Sequence, residues 1–84
     1  MCTMSNAPKG RLVQIEARIA AALEDGRQAI GMGQQQLADL IGVSQSQVSR
    51  MLSGERPLTI PELLKMCDAL HLDAATVIAQ AEDA

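Results

Sequence analysis

The sequence has no phenylalanine, tyrosine or tryptophan among its 84 residues. Any hydrophobic core must therefore consist of Leu, Ile, Val, Met and Ala side chains, which suit packed helices better than β-sheets. Proteins that bind RNA or single-stranded DNA commonly stack the bases on aromatic rings. The absence of such rings argues against single-stranded nucleic acid as a partner.

Metal-ligating and catalytic residues are also scarce. The chain has one histidine, His71, and two cysteines, Cys2 and Cys67, which form no Cys-x-x-Cys pair. Such a set does not predict a metal site, and it pairs no nucleophile with a base as a hydrolase would need. Cys67 falls in an apolar helical pattern and is expected in the core. We therefore expect no catalytic residue, metal, cofactor or small-molecule substrate.

Long apolar segments and positive charge are in short supply as well. No signal peptide or membrane-spanning run is recognisable, so we expect a cytoplasmic protein that does not contact membranes. The net charge is −3, which is unfavourable for binding a polyanion. However, residues 62–84 contain five acidic residues and one lysine, whereas residues 34–61 contain two of each sign. The central segment can therefore face phosphate while the acidic end faces away.

The chain is long enough for one domain. Residues 1–8 show no periodicity and end in a proline, so we expect a disordered tail, followed by a single domain over residues 9–84. The first helix is expected from about Lys9, with Gly26 weakening or breaking its last turns and Gly31 ending it. The residues after Gly31 predict four more helices with short connections.

Apolar residues at helical spacing predict the face that each helix buries. Helix ends are indicated by the glycines Gly42 and Gly54 and by the capping boxes that Ser44 forms with Gln47 and Thr59 forms with Glu62. The predicted faces are Leu12, Ile15, Ile19, Ala22, Leu23 and Ile30; Leu37, Ala38, Leu40 and Ile41; Val48, Met51 and Leu52; Ile60, Leu63, Leu64, Cys67 and Leu70; and Ala74, Val77, Ile78 and Ala81.

Residues 34–52 meet the requirements of a helix-turn-helix, in which two short helices cross steeply through a tight turn. A small residue, Ala38, stands where the second helix crosses closely. A glycine, Gly42, follows four residues later, where the turn requires it. The apolar residues that would fill the angle between the helices are Leu37, Ile41, Val43, Val48 and Met51.

The face that the second helix leaves exposed is polar but contains no acid. It consists of Gln45, Ser46, Gln47, Ser49 and Arg50. Glutamine can pair with the N6 and N7 edge of adenine, serine can bond to several base edges, and arginine can reach guanine or a phosphate. Two plainer interpretations stay open: Gln47 as a cap partner only, and Arg50 as a solvated surface charge.

Residues 33–54 resemble the helix-turn-helix of the Cro/C1-type repressors, also called the XRE-like family. Pro57 and the stretches 59–70 and 72–78 resemble the rest of that domain, so the resemblance covers roughly residues 10–80. It implies an all-α, five-helix, lambda-repressor-like DNA-binding domain. It also implies a regulator that binds double-stranded DNA sequence-specifically through the major groove.

The resemblance implies a role for individual residues. Gln34 would contact a phosphate and brace Gln45, while Gln45 and Ser46 would read bases and Ser49 would face the groove. Ser53 would hold the DNA backbone, as would Arg56, for which having no role is an equal alternative. The expected DNA-binding set is therefore Gln34, Gln45, Ser46, Gln47, Ser49, Arg50, Ser53 and Arg56.

The last apolar stripe has two possible uses: closing the domain's own core or pairing with a second copy. In the family the last helix commonly makes the dimer contact, so the expected interface is Ala74, Val77, Ile78 and Ala81. A homodimeric repressor on a palindromic operator is then expected, with half-sites about 34 Å apart. The alternative is an antitoxin-type module of the same fold, which masks a protein partner and binds DNA for autoregulation.

Overall fold

The computed structural model describes residues 2–83, with side chains from Leu12 onward, and this part of the chain is all-α. It contains the five helices that the sequence predicts, joined by short connections. The helices are α1 (Cys2–Ala29), α2 (Gln34–Ile41), α3 (Gln45–Ser53), α4 (Ile60–Ala69) and α5 (Ala74–Asp83).

Helix α1 differs most from its prediction. It begins at Cys2 rather than near Lys9. The division into a tail over residues 1–8 and a domain over residues 9–84 stays a prediction. The helix also runs through Gly26 to Ala29, so of the two expected effects of Gly26, weakening or breaking, the break does not occur. A Cβ built at Gly26 would lie 2.8 Å from Cδ1 of Leu72. The glycine thus permits a close approach between α1 and the segment before α5.

Helices α2 and α3 form the corner that the spacing predicts. Gly42 ends α2 with φ 78°, and its N–H donates to the Ala38 carbonyl at 2.9 Å. This left-handed conformation favours glycine because a Cβ would lie too close to the carbonyl oxygen that follows it in the chain. Leu37, Ala38 and Val48 are fully buried where the two helices meet. The crossing is therefore fixed by packing beneath it rather than by polar contacts on its surface.

The predicted apolar faces are partly wrong in direction. On α2, Leu40 is 63% exposed, and on α4 Ile60 and Leu64 are 65% and 52% exposed. The buried face of α4 is instead centred on Met66, which is fully buried and absent from the predicted stripe. A short helix buries only the part of its apolar arc that contacts its neighbours. The sequence pattern does not show which edge of the arc stays exposed. Of the face predicted for the first helix, Leu12 is likewise 62% exposed, and Ile30, which lies just beyond the end of α1, is 48% exposed.

Helix α5 closes the domain against α1. Asp73 caps it by accepting from the Thr76 N–H at 3.0 Å and from the Thr76 hydroxyl at 2.7 Å. Val77 and Ala81 are buried, and the guanidinium of Arg18 on α1 donates to the Ala81 carbonyl at 3.0 Å. The core formed in this way supports α2 and α3 from below and leaves one side of α3 free.

Candidate nucleic-acid interface

Helix α3 is held rigidly in the orientation that exposes its polar side. Ser44 caps its start, with the Ser44 hydroxyl accepting from the Gln47 N–H at 3.2 Å. Gly54 ends it with φ 84°. Between these caps Val48, Met51 and Leu52 are buried. Three anchored side chains in nine residues leave the helix little freedom to rotate about its axis.

Five of the eight expected DNA-binding residues line one concave surface, which we call the polar concavity. It has a volume of about 410 Å³ and is lined by Gln34, Gln45, Ser46, Ser49, Arg50 and Glu55. Gln34, the first residue of α2, is half-buried, whereas the other lining residues are exposed. The structure thus places the expected phosphate contact of α2 beside the expected base contacts of α3.

Gln47 lies outside the polar concavity. Its backbone completes one half of the predicted capping box, but its side chain does not return to the Ser44 N–H, so the reciprocal bond is not formed. The Gln47 Oε1 atom is instead buried and accepts no hydrogen bond from the part of the chain that the structure describes. A buried carbonyl without a partner is costly, and this oxygen is turned away from any surface contact.

Ser53 and Arg56 also lie outside the polar concavity. The Ser53 hydroxyl donates to the Arg50 carbonyl at 3.1 Å, in the last turn of α3. The Arg56 guanidinium forms a fork with the Glu62 carboxylate, at 2.9 and 3.0 Å. It also donates to the Pro57 carbonyl at 3.3 Å. Arg56 therefore ties the loop after α3 to the start of α4, a role that the sequence did not indicate.

The Arg56–Glu62 pair has a clear electrostatic consequence. Hydrogen bonds from Arg56, and then from the Thr59 N–H, lower the pKa of Glu62 from 4.5 to about 2, and the same pair raises the pKa of Arg56. The Glu62 oxygen that accepts from the Thr59 N–H also completes the second predicted capping box. This box is confirmed in both directions, unlike the one at Ser44.

Acidification is expected to remove the stabilisation that this pair contributes. Because the folded-state pKa of Glu62 is below its unfolded value of 4.5, the contribution is present above about pH 4.5 and is lost as the pH falls toward 2. Glu62→Gln should lower the free energy of unfolding at pH 7 by up to about 1 kcal/mol, given that the pair is near solvent. In urea titrations, the free energy of unfolding of this variant should also fall less steeply between these pH values than that of wild type.

A residual acid dependence is expected in that variant, since the pKa of Glu24 is lowered by Arg27 and the pKa of Asp73 by Thr76. Glu82→Gln, an equal charge change at an exposed site on α5, is the matched control. An identical pH profile for Glu62→Gln and wild type would contradict the role of the pair.

The remaining electrostatics around the polar concavity are nearly balanced. Neither α2 nor α3 has an acidic residue in its first turn, so the partial positive charge of both helix N-termini is free to attract anions. Arg50 contributes one full positive charge, and Glu55 contributes one negative charge. The surface suits hydrogen bonding to an anionic duplex more than strong attraction to it.

Glu55 is the lining residue that the sequence reasoning missed. It follows the helix terminator Gly54, and helical spacing says nothing about where a residue beyond a left-handed glycine points. Its backbone N–H donates back to the Arg50 carbonyl at 3.0 Å, which turns the chain toward the exposed side of α3. The available signal was the terminator glycine itself, which folds the next residue against the last turn.

The four residues expected at a dimer contact divide between interior and surface. Val77 and Ala81 are buried against the rest of the single chain, while Ala74 and Ile78 are half-buried. Of the two uses that the sequence left open, Val77 and Ala81 thus serve the core. Ile78 also lines an apolar groove of about 270 Å³, together with Ile60 and residues of α1.

The described residues 2–83 also bear on membrane insertion and metal binding. No helix there combines the length and apolar character needed to cross a membrane. Among residues 12–83, whose side chains the structure describes, no group of three or more His, Cys, Asp or Glu is placed to hold a metal ion.

The sequence matches the model of a known protein family. The model of the Helix-turn-helix family matches residues 23–77, which is more than half of the chain and runs from the end of α1 into α5. No curated protein matches the sequence. The matched range contains the α2–α3 corner and the whole polar concavity. The chain therefore belongs to the Cro/C1-type (XRE-like) helix-turn-helix family, and it is a DNA-binding transcription regulator of that type.

Proposed function

We propose that the protein is a repressor that binds a palindromic operator as a homodimer. The observation that carries this proposal is the exposed polar side of α3, where Gln45, Ser46, Ser49 and Arg50 stand together on a helix anchored by buried side chains. A helix presented in this way can enter the major groove with its N-terminal residues deepest. Occupying a promoter in this manner would block the polymerase.

The proposed contacts follow the position of each side chain. Gln45 and Ser46, at the start of α3, read base edges, and Ser49 faces the groove one turn later. Gln34 contacts a phosphate at the start of α2, and Arg50 contacts a phosphate or a guanine. Ser53 contacts the backbone at the margin of this surface. Gln47 and Arg56 are weaker members of the set, because one has a buried side-chain oxygen and the other is paired with Glu62.

A second copy is proposed because one polar concavity offers little attraction to phosphate. Affinity for a duplex depends strongly on the number of phosphates that Lys and Arg neutralise, and here Arg50 is the one cation that lines the surface. Linking two half-site contacts in one dimer raises the overall affinity without any new contact. We place the dimer contact at Ile78, Ala74 and the exposed Ile60, which shares the apolar groove with Ile78.

The same groove supports the second candidate function, an antitoxin-type module. An apolar surface with exposed aliphatic side chains at its margin suits an apolar segment of a protein partner as well as a second copy. In that case DNA binding would serve autoregulation. Co-purification with a second small protein encoded next to this chain would favour this candidate over the homodimeric repressor.

Selection of bound duplexes from a random pool, carried out at two salt concentrations, tests the proposal. We expect a palindromic consensus with half-sites about one helical turn, roughly 34 Å, apart. Light scattering of the complex should give two protein chains per duplex. A consensus with a single half-site, or one chain per duplex, would contradict the dimer. Failure to enrich any sequence would contradict sequence-specific binding altogether.

A further inference from the structure

The polar concavity contains one acidic side chain, Glu55. Glu55 is exposed and shares this surface with Gln34, Gln45, Ser46, Ser49 and Arg50. Neither ion pair found among the described residues includes Glu55. Its backbone is fixed by the bond from its N–H to the Arg50 carbonyl. The negative charge therefore stands at the surface without an ion-pair partner among the described residues.

Glu55 removes the net positive charge of this surface. Arg50 and Glu55 cancel as full charges, and the next cation along the chain, Arg56, is engaged by Glu62 at 2.9 and 3.0 Å. A phosphate is then attracted only by the helix N-termini and by neutral hydrogen-bond donors. Binding without sequence preference depends almost wholly on charge attraction. We therefore expect this surface to bind a duplex of arbitrary sequence weakly.

The position of Glu55 indicates which part of the DNA it would face. The N-terminal end of a recognition helix reaches deepest into the major groove, and Glu55 follows the opposite end of α3, beyond Gly54. A side chain there lies toward the phosphates that border the groove rather than toward the base edges. An ionised carboxylate only accepts hydrogen bonds, so it repels a phosphate without any compensating bond.

We propose that Glu55 limits the affinity of the polar concavity for the DNA backbone by repulsion. It weakens attachment to the DNA backbone, so that binding requires the base contacts of α3 and the joint action of two copies. The repulsion acts on any duplex, so the base contacts must supply more of the affinity than they would on a positively charged surface. This inference rests on the proposed DNA contact of the polar concavity, and it adds the residue that limits that contact.

Glu55→Gln, which removes the charge and keeps the shape, tests the role. We expect binding of a random-sequence duplex and of the duplex enriched by wild type to tighten by about two- to fivefold at low salt, the size of one charge pair near water. The gain should shrink as salt screens the repulsion, and the enriched sequence should stay the same. Glu55→Lys should steepen the dependence of log affinity on log salt by about 0.9 per added phosphate contact.

Glu82→Gln on α5 is the matched control, because it changes the net charge equally at an exposed site away from the polar concavity. Equal gains in both variants would overturn the proposal by showing a general charge effect, as would no gain in Glu55→Gln. Weaker binding together with an altered base preference would show instead that Glu55 reads a base. A wild type that enriches no sequence contradicts the proposed function, whereas the comparison on random duplex still tests Glu55.

Discussion

Replacing Leu37 by alanine is expected to destabilise the domain by about 2–5 kcal/mol, the usual cost of deleting a fully buried leucine side chain. Leu37 is completely buried where α2 meets the core, and the α2–α3 corner rests on it. A domain this small has a total stability on the order of 5 kcal/mol. The variant should therefore keep no more than about 3 kcal/mol of stability, and at the upper end of the cost about half of its molecules should be unfolded and unable to bind DNA.

Leu40→Ala is the matched control, since it makes the same chemical change on the same helix at a side chain that is 63% exposed. It should change stability by no more than about 0.5 kcal/mol. Urea titration followed by circular dichroism measures both variants. Equal losses in the two variants would show that the corner is not supported as the structure describes, and the orientation of α3 would then be in doubt.

Local signals explain most of the fold that could be predicted. Gly42, Ser44, Gly54 and Asp73 mark helix ends through backbone conformation or through bonds to residues three or four positions away. Such information is contained in a short stretch of sequence. The position and corner geometry of α2 and α3 could be inferred for this reason, and with them the polar side of α3.

Tertiary packing explains what could not be predicted. The apolar arc of α4 permits either Leu64 or Met66 to face inward, and only the placement of the neighbouring helices selects Met66. In the same way, Gly26 has a low helix propensity, yet it lies inside α1, where the absence of a Cβ leaves room for the Leu72 side chain. Periodicity identifies an arc, whereas the contact surface decides which part of it is buried.

The candidate site shows the same division. The residues of α3 that share one helix face could be grouped from spacing alone, and the structure brings Gln45, Ser46, Ser49 and Arg50 together. Arg56 could not be assigned because its partner, Glu62, lies beyond an irregular loop. The inclusion of Glu55 likewise depends on how the chain turns after Gly54. The positions of charged side chains in the loops after helix ends therefore could not be predicted from the sequence pattern.

Replacing Gln45 by alanine is expected to weaken operator binding by about 1–3 kcal/mol per half-site, or roughly 5- to 150-fold. Gln45 is exposed at the first position of α3 and lines the polar concavity, so truncation removes an amide able to bond two atoms of one adenine edge. The loss should be confined to one base position per half-site. Binding to random duplex, which depends on charge, should be nearly unchanged.

Gln35→Ala provides the control because Gln35 is an exposed glutamine that bonds Asp39 at 2.9 Å and lies outside the polar concavity. It should leave both affinity and base preference close to those of wild type. Titration of the enriched duplex and of duplexes substituted at each base position distinguishes the variants. If Gln45→Ala keeps the full preference at every position, then α3 does not enter the groove by its N-terminal end. A uniform loss on all duplexes, random sequence included, would instead assign Gln45 to the phosphate backbone, because a backbone contact carries no information about the base sequence.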